Sequence, residues 1–302
     1  MRMIKRIGGV LVLLLLIVAV VLAVQNRPKE APAKVVATNF AGYDLARAVM
    51  GDETEVAMLL KPGAEMHNFE PTPEDIKKIQ QADLLISVGG ESEEWVADLA
   101  INSGVAEGKI LRLMDLVELV KEEGGDEYDE HIWTSPTNMM KLAEGVRDKL
   151  AEIYPAEAEK YQENTEGYVS QLKGVDERIR TVVRNGDRKM LVFGDRFPFR
   201  YLVEEYGLEY LAAFPGCAEQ TEASSATVAN LVREIRDGQI PVVLKTELSD
   251  GKLAQAIADE TGAKVMTLQT MHNVSREDFE AGVTYVEMME RNVEVLLAAL
   301  GR

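Results

Sequence analysis

From Pro155 to about Arg184 the sequence reads as one uninterrupted helix, and that length constrains the fold more than any other feature. Tyr161, Tyr168, Leu172, Val175, Ile179 and Val182 recur along it at helical spacing. Roughly 29 residues at ~1.5 Å each make a rod of about 43 Å, longer than one small domain needs. On both sides of it the chain alternates short apolar runs with amphipathic stretches. Before the rod, strands are expected at 34–38, 55–60, 83–88 and 110–113, and helices at 44–50, 72–82 and 94–102. A further helix is expected from Ser135-Pro136 to Ile153, with Met140, Ala143, Val146, Leu150 and Ile153 on one stripe. After the rod, strands are expected at 189–193, 241–245 and 264–268. Helices are expected through Phe199, Leu202, Val203 and Tyr206, at 226–236, at 252–260, and as one long segment from Ser275 to Leu300. Such alternation gives parallel sheets with crossover helices. The rod then divides two α/β halves as a connecting spine, the alternative being an ordinary surface helix.

Arg2, Lys5 and Arg6 precede an apolar run from Val10 to Val24, and a polar segment follows. The run is long for a signal-peptide core and slightly short for a spanning helix, so it reads as a cleaved signal or an uncleaved anchor. In both cases the remainder faces outward, on a tether from Asn26 to Ala33 that contains Pro28 and Pro32. No cysteine follows the run, which excludes lipid attachment at a mature N-terminal Cys. Cys217 is the sole cysteine, so neither an internal disulfide nor a Cys-based zinc motif can form. It is expected as a small buried hydrophobe, with a reactive thiol as the alternative. The net charge of −18 argues against nucleic acid or an anionic membrane surface as partner.

Only three histidines occur in the chain, His67, His131 and His272, and all share a context. Each is followed by a helix start: Thr72-Pro73, Ser135-Pro136, and Ser275 with Asp278 three residues on. All three imidazoles should therefore lie on loops feeding helix N-termini, where they can converge on one metal ion. In open parallel sheets ligands bind beyond the carboxyl ends of the strands. His272 follows strand 264–268, Asp195 follows strand 189–193 and Glu247 follows strand 241–245. Three neutral imidazoles plus a carboxylate or water suit Zn2+, whereas Mn2+ and Fe2+ draw more oxygen ligands. Asp195 and Glu247 are ligand candidates; each is also open to holding a ligating histidine's far N–H, or to being simply solvated. The acidic loop 122–130 leading into His131 reads as a solvated surface loop or as a local attractor of cations. Enzyme motifs are lacking: there is no His-Glu-x-x-His, no Gly-x-Ser-x-Gly and no phosphate loop, and Gly89-Gly90 lacks the dinucleotide spacing.

The pattern Pro62-Gly63-Ala64-x-x-His67-x-Phe69-Glu70-Pro71-Thr72-Pro73-x-Asp75 resembles the metal-binding solute receptors of ABC importers. These form the zinc/manganese cluster that includes metal-binding adhesin lipoproteins. Ala82-Asp83-Leu84-Leu85 with Gly89-Gly90 and Glu94-Trp95, then His131-Ile132-Trp133-x-Ser135-Pro136, are similar to its next blocks. Tyr201 with Tyr206-Gly207-Leu208, Glu260-Thr261-Gly262, and Tyr285 with Met289 and Asn292 follow in family order. The resemblance covers nearly all of 34–302. It implies two Rossmann-like lobes with parallel sheets, 34–154 and 186–302, joined by a rigid helix over 155–185, with the metal in the cleft between them. His67 and His131 match the two first-lobe ligands, and His272 falls where the family often has Asp. The remaining second-lobe ligand falls near Arg196, and an arginine cannot ligate a cation. Asp195, Glu247 or water is left to complete the shell, or three protein ligands suffice. Arg196 is expected to pair with a carboxylate such as Glu247 or Glu222. The implied function is extracytoplasmic capture of a divalent cation by a monomeric, non-enzymatic receptor that delivers it to a membrane ABC permease. An exported zinc-dependent hydrolase and an adhesion protein without a transporter are the alternatives.

Overall fold

The computed structural model describes residues 33–51, 55–65, 69–122, 125–214 and 223–301. The proposed signal or anchor, Cys217 and Glu222 lie outside these residues, as does His67. Among the described residues no helix is long and apolar enough to cross a membrane.

The first half runs β1 (Val35–Ala37), α1 (Phe40–Met50), β2 (Val56–Met58), α2 (Pro73–Gln81), β3 (Leu84–Ser87), α3 (Glu94–Asn102), β4 (Ile110–Arg112) and α4 (Pro136–Ile153). The spine is α5 (Ala158–Asn185), entered through a 3-10 turn at Pro155–Glu157. The second half runs β5 (Met190–Phe193), α6 (Arg200–Tyr206), β6 (Glu209–Ala212), α7 (Ser225–Gly238), β7 (Val242–Lys245), α8 (Lys252–Thr261), β8 (Lys264–Thr267), α9 (Arg276–Glu280) and α10 (Tyr285–Leu300). All strand pairs are parallel, in the orders β2-β1-β3-β4 and β6-β5-β7-β8. The two sheets thus share one winding, with the connections reversing direction between β1 and β3 and again between β5 and β7. This is an α/β fold of two lobes.

Alternation along the strands sorts side chains to opposite faces. Val35, Ala37, Leu84 and Ile86 of one sheet share a core with Leu191, Phe193, Val242 and Leu244 of the other, through α1, α4, α5 and α10. The opposite faces bear separate cores: Val36 and Leu85 under Ile79, Val96 and Leu99, and Val192 and Val243 under Leu231, Ile235 and Ile257. The lobes therefore have independent outer faces and one common inner core, which is what makes the spine a rigid strut. Its buried stripe is Tyr161, Thr165, Tyr168, Leu172, Val175, Ile179 and Val183. Val183 ends the stripe in place of Val182, four residues beyond Ile179, as the helical period requires. On α4, similarly, Met139 and Leu142 are buried, and Met140 is only partly so.

Two elements differ from expectation. The C-terminal segment is two helices: Gly282 at φ 71° breaks it, and Thr284 restarts it through a capping box with Glu287. Strand β6 carries no clear alternation and pairs only with β5, so its sequence reads as loop.

Beyond β3, Glu93 turns inward and its carboxylate accepts from the Gly89 backbone N–H at 3.0 Å. Burial pushes its pKa up to about 7, against the pull of the Thr38 hydroxyl and the Gly89 and Val88 amides. A carboxyl protonated more readily folded than unfolded favours the fold below its unfolded value and loses that contribution as pH rises to its folded value. Stability should fall by about 3 kcal/mol between pH ~4.5 and ~7, and Glu93→Gln should flatten that slope. Denaturant titrations across this range, on both proteins, check it.

Candidate metal centre

His131 stands at the start of a 3-10 turn, Ile132–Thr134, with its ring almost wholly buried. Asp129 Oδ1 accepts from the His131 backbone N–H at 2.8 Å and lies 3.0 Å from ring Nδ1. Burial works to raise the Asp129 pKa, but the His131 charge and hydrogen bonds, with Arg200 beyond, hold it below the ordinary value. A carboxylate on Nδ1 fixes the tautomer and leaves Nε2 as the donor to a metal. The acidic loop is thus not solvated throughout. It folds back through a bridge between Lys121 and Tyr128, and its last two acids are buried. Glu130 accepts from the Ser92 backbone N–H at 2.8 Å and from the Ser92 hydroxyl.

His272 follows β8 on a loop shaped by Met271, which holds φ 54° with its side chain fully buried. A non-glycine residue there costs on the order of 1–3 kcal/mol, and the surrounding bonds hold it. The His272 N–H donates to Thr270 Oγ1 at 3.1 Å, and its carbonyl accepts from Phe40 N at 3.2 Å. The His131 and His272 rings meet edge-on, 5.2 Å between centres and 87° between planes. Two imidazoles bound at ~2.0–2.1 Å on adjacent corners of a tetrahedron put their ring centres about 5 Å apart, so the pair fits one Zn2+. Trp133 backs both rings, 5.5 Å from His131 and 5.2 Å from His272.

Glu247 reaches Thr270: its carboxylate accepts from the Thr270 N–H at 2.8 Å and from the hydroxyl at 2.6 Å. Burial raises its pKa, against the opposing pull of these bonds and nearby amides. Asp195 is spent differently. It accepts from Thr246 N at 2.9 Å, Thr246 Oγ1 at 3.1 Å and Arg196 N at 2.9 Å, tying the carboxyl ends of β5 and β7 together. A cavity of about 50 Å³ is lined by Glu65, Arg196, Thr246, Glu247, Thr270 and His272, among others. The Arg196 guanidinium pairs across it with Glu65 of the first lobe, Nη1 to Oε2 3.7 Å. That replaces the expected pairing with Glu247, whose oxygens already serve Thr270.

His67 lies outside the described residues, but the segment before it is pinned beside His272. Asn273 Nδ2 donates to the Lys61 carbonyl at 2.8 Å and the Ala64 carbonyl at 2.7 Å, and Gly63 N donates to the Val274 carbonyl at 2.8 Å. Among the described residues no three metal-binding side chains form a group. The structure brings His131 and His272 together beside Trp133, puts Glu247 on the cavity wall with His272, and keeps Asp195 in the β5–β7 tie. Sequence reading missed Asp129, Trp133, Thr270 and Asn273. Asp129 had a signal, a carboxylate two residues before a candidate ligand.

Residues 35–299 match the family described as zinc-uptake complex component A, periplasmic. The zinc-binding protein AdcA of Streptococcus pyogenes serotype M18 is 28% identical over 289 residues, 88% of this chain and 56% of that protein. The chain therefore spans little more than half the length of that relative. The high-affinity zinc uptake system protein ZnuA of Bacillus subtilis is 28% identical over 279 residues, 88% of this chain and 87% of that protein. The Zn(II)-bound ZnuA-like domain of Streptococcus pneumoniae AdcA superposes with TM-score 0.76 at 28% identity, covering 90% of this chain and all of the domain. The laminin-binding protein Lmb of Streptococcus agalactiae, described as both adhesin and metal transporter, gives TM-score 0.77 at 26% identity, covering 88% and 98%. The fold is that of a two-lobed α/β protein. The chain belongs to the ZnuA family of periplasmic zinc-uptake components.

Proposed function

We propose that this protein captures Zn2+ outside the cytoplasmic membrane and delivers it, as a monomer, to an ABC permease. The observation that carries this reading is the edge-on His131–His272 pair, each ring supplied by a different lobe and one of them locked by Asp129. His67 is the third ligand, on a loop whose preceding residues are bonded to Asn273. Glu247, on the cavity wall with His272, is the fourth ligand, and Asp195 stays in the β5–β7 tie. Imidazole-rich coordination favours Zn2+ over Mn2+ or Fe2+. The lobes are 34–154 and 186–302, with 155–185 as the strut between them, and residues 1–33 carry the chain outward. With a shared core and a rigid strut, loading and release proceed by local loop movement rather than a wide hinge.

Elemental analysis of purified protein should find one zinc per chain. Metal loading requires neutral imidazoles, so affinity should be flat above neutrality and fall as pH drops through ~6.5, the ordinary imidazole value. Competition against a chelator of known affinity from pH 5 to 8 reads this out. A flat profile would remove histidine from the site.

A further inference from the structure

By sequence the stretch from His272 to Tyr285 belongs to the second lobe, yet helix α1 of the first lobe holds it along its length. The Phe40 N–H, at the start of α1, donates to the His272 carbonyl at 3.2 Å. One turn on, the Tyr43 ring packs on Phe279 of α9, 5.5 Å between centres. Beside it, Asp44 Oδ2 accepts from the Tyr285 N–H at 2.9 Å. Another turn on, Arg47 Nη2 donates to the Val283 carbonyl at 2.6 Å and to the Gly282 carbonyl at 3.2 Å. Arg47 Nε donates to Asp44 Oδ1 at 2.6 Å, and the two side chains are only 10% and 2% exposed.

The stretch needs such support. It runs between two left-handed residues, Met271 at φ 54° and Gly282 at φ 71°. Its helix α9 has five residues, far short of the ~12–15 at which an isolated helix becomes even marginal. A buried ion pair is a weak source of stability, and apolar residues of the same volume often do as well. What the guanidinium adds is geometry: a planar fork whose donors reach one carboxylate and two carbonyls at fixed angles. That fork sets where the α9–α10 elbow sits on α1, and α1 also carries the amide that holds His272. The other ring of the edge-on pair, His131, is first-lobe by sequence.

This inference rests on the zinc-receptor reading. We propose that Arg47, aligned by Asp44, is a positioning residue for the metal site: it fixes 272–285 to α1, so that His272 stands on the framework of the first lobe with His131. Zinc then meets two imidazoles whose spacing is set before the ion arrives.

The test compares the full-chain wild type with Arg47→Lys, whose ammonium keeps a charge beside Asp44 but lacks the fork. Phe279→Ala removes the ring contact on the same stretch without touching the ion pair. Ile257→Val, in the separate outer core of the second lobe, controls for general destabilisation. Zinc affinity is read by chelator competition at a temperature where circular dichroism shows every variant folded. Arg47→Lys should lose about 10-fold, the low end of the cost of removing a ligand's supporting partner. Phe279→Ala should also lose affinity, and carries the comparison should Arg47→Lys not fold; Ile257→Val should match wild type. Linkage supplies a second readout: if the clamp tightens zinc binding, zinc must tighten the clamp. Zinc should therefore slow hydrogen exchange at 276–285 in the wild type, and slow it less in Arg47→Lys. Wild-type affinity in folded Arg47→Lys, an equal loss in Ile257→Val, or exchange at 276–285 indifferent to zinc would overturn the proposal. A wild type that binds no zinc would instead bring down the metal-receptor reading, and this proposal with it.

Discussion

His272→Ala should weaken zinc binding by more than ~100-fold, since losing merely the carboxylate behind a ligating histidine costs about 10–100-fold. The loss is not recoverable by rearrangement. The ring is placed by the Met271 backbone, by the Thr270 hydroxyl under its N–H and by the Phe40 N–H on its carbonyl. No other histidine exists apart from His67 and His131 to take its place. Asp129→Ala should fall in the 10–100-fold range itself, because it frees the His131 ring without removing it. Competition with a chromophoric chelator gives both numbers. Stoichiometric, tight zinc retained by His272→Ala would show that the ion sits elsewhere.

The second large effect is expected at Trp133. Its side chain is wholly buried, and its Nε1 donates to the Thr270 carbonyl at 2.8 Å, from the first lobe to the second. Its own carbonyl accepts from the Tyr285 hydroxyl at 2.6 Å, again across the lobes. Trp133→Ala should cost about 3–5 kcal/mol of stability, the range for emptying a buried aromatic site. It should also depress zinc affinity, because both histidine rings rest on the indole. Trp133→Phe keeps most of the volume and orphans the Thr270 carbonyl, so a smaller cost of about 1–3 kcal/mol is expected. Urea titration of the two variants separates packing from the hydrogen bond. An alanine variant within about 1 kcal/mol of wild type would mean that the site tolerates collapse.

What the sequence disclosed was what local chemistry dictates. Thr72-Pro73 with Asp75, and Ser135-Pro136, announce helix starts because capping is settled within four residues, and both caps form as expected. Seven of the strands were legible from apolar runs bounded by turn residues. Strand β6 was not, because its partner β5 alone sets its register. The break before Thr284 was masked by apolar residues that keep helical phase across it, although Gly282 and a Thr-x-x-Glu box were there to be read. In the site, the histidines stood out through scarcity and shared context. Asp129 could have been found from its spacing to His131. The pairing of Arg196 with Glu65 could not, since it joins residues from different lobes and depends on how the lobes meet.

The bonds across the cleft have one more consequence. Tyr201 of the second lobe donates to the Asp129 carbonyl at 2.8 Å, behind His131. Asn273 of the second lobe holds the segment before His67, and Phe40 of the first holds His272. The loops of His131 and His272 and the segment before His67 are each anchored by the half to which they do not belong. The halves are therefore not interchangeable parts. A chimera joining the first half of this chain to the second half of a 28%-identical relative would keep Phe40 and take from the relative whatever faces the Asp129, Lys61 and Ala64 carbonyls in place of Tyr201 and Asn273. Specificity in such a protein is heritable only as a matched pair of lobes, and drift in one half must be answered in the other.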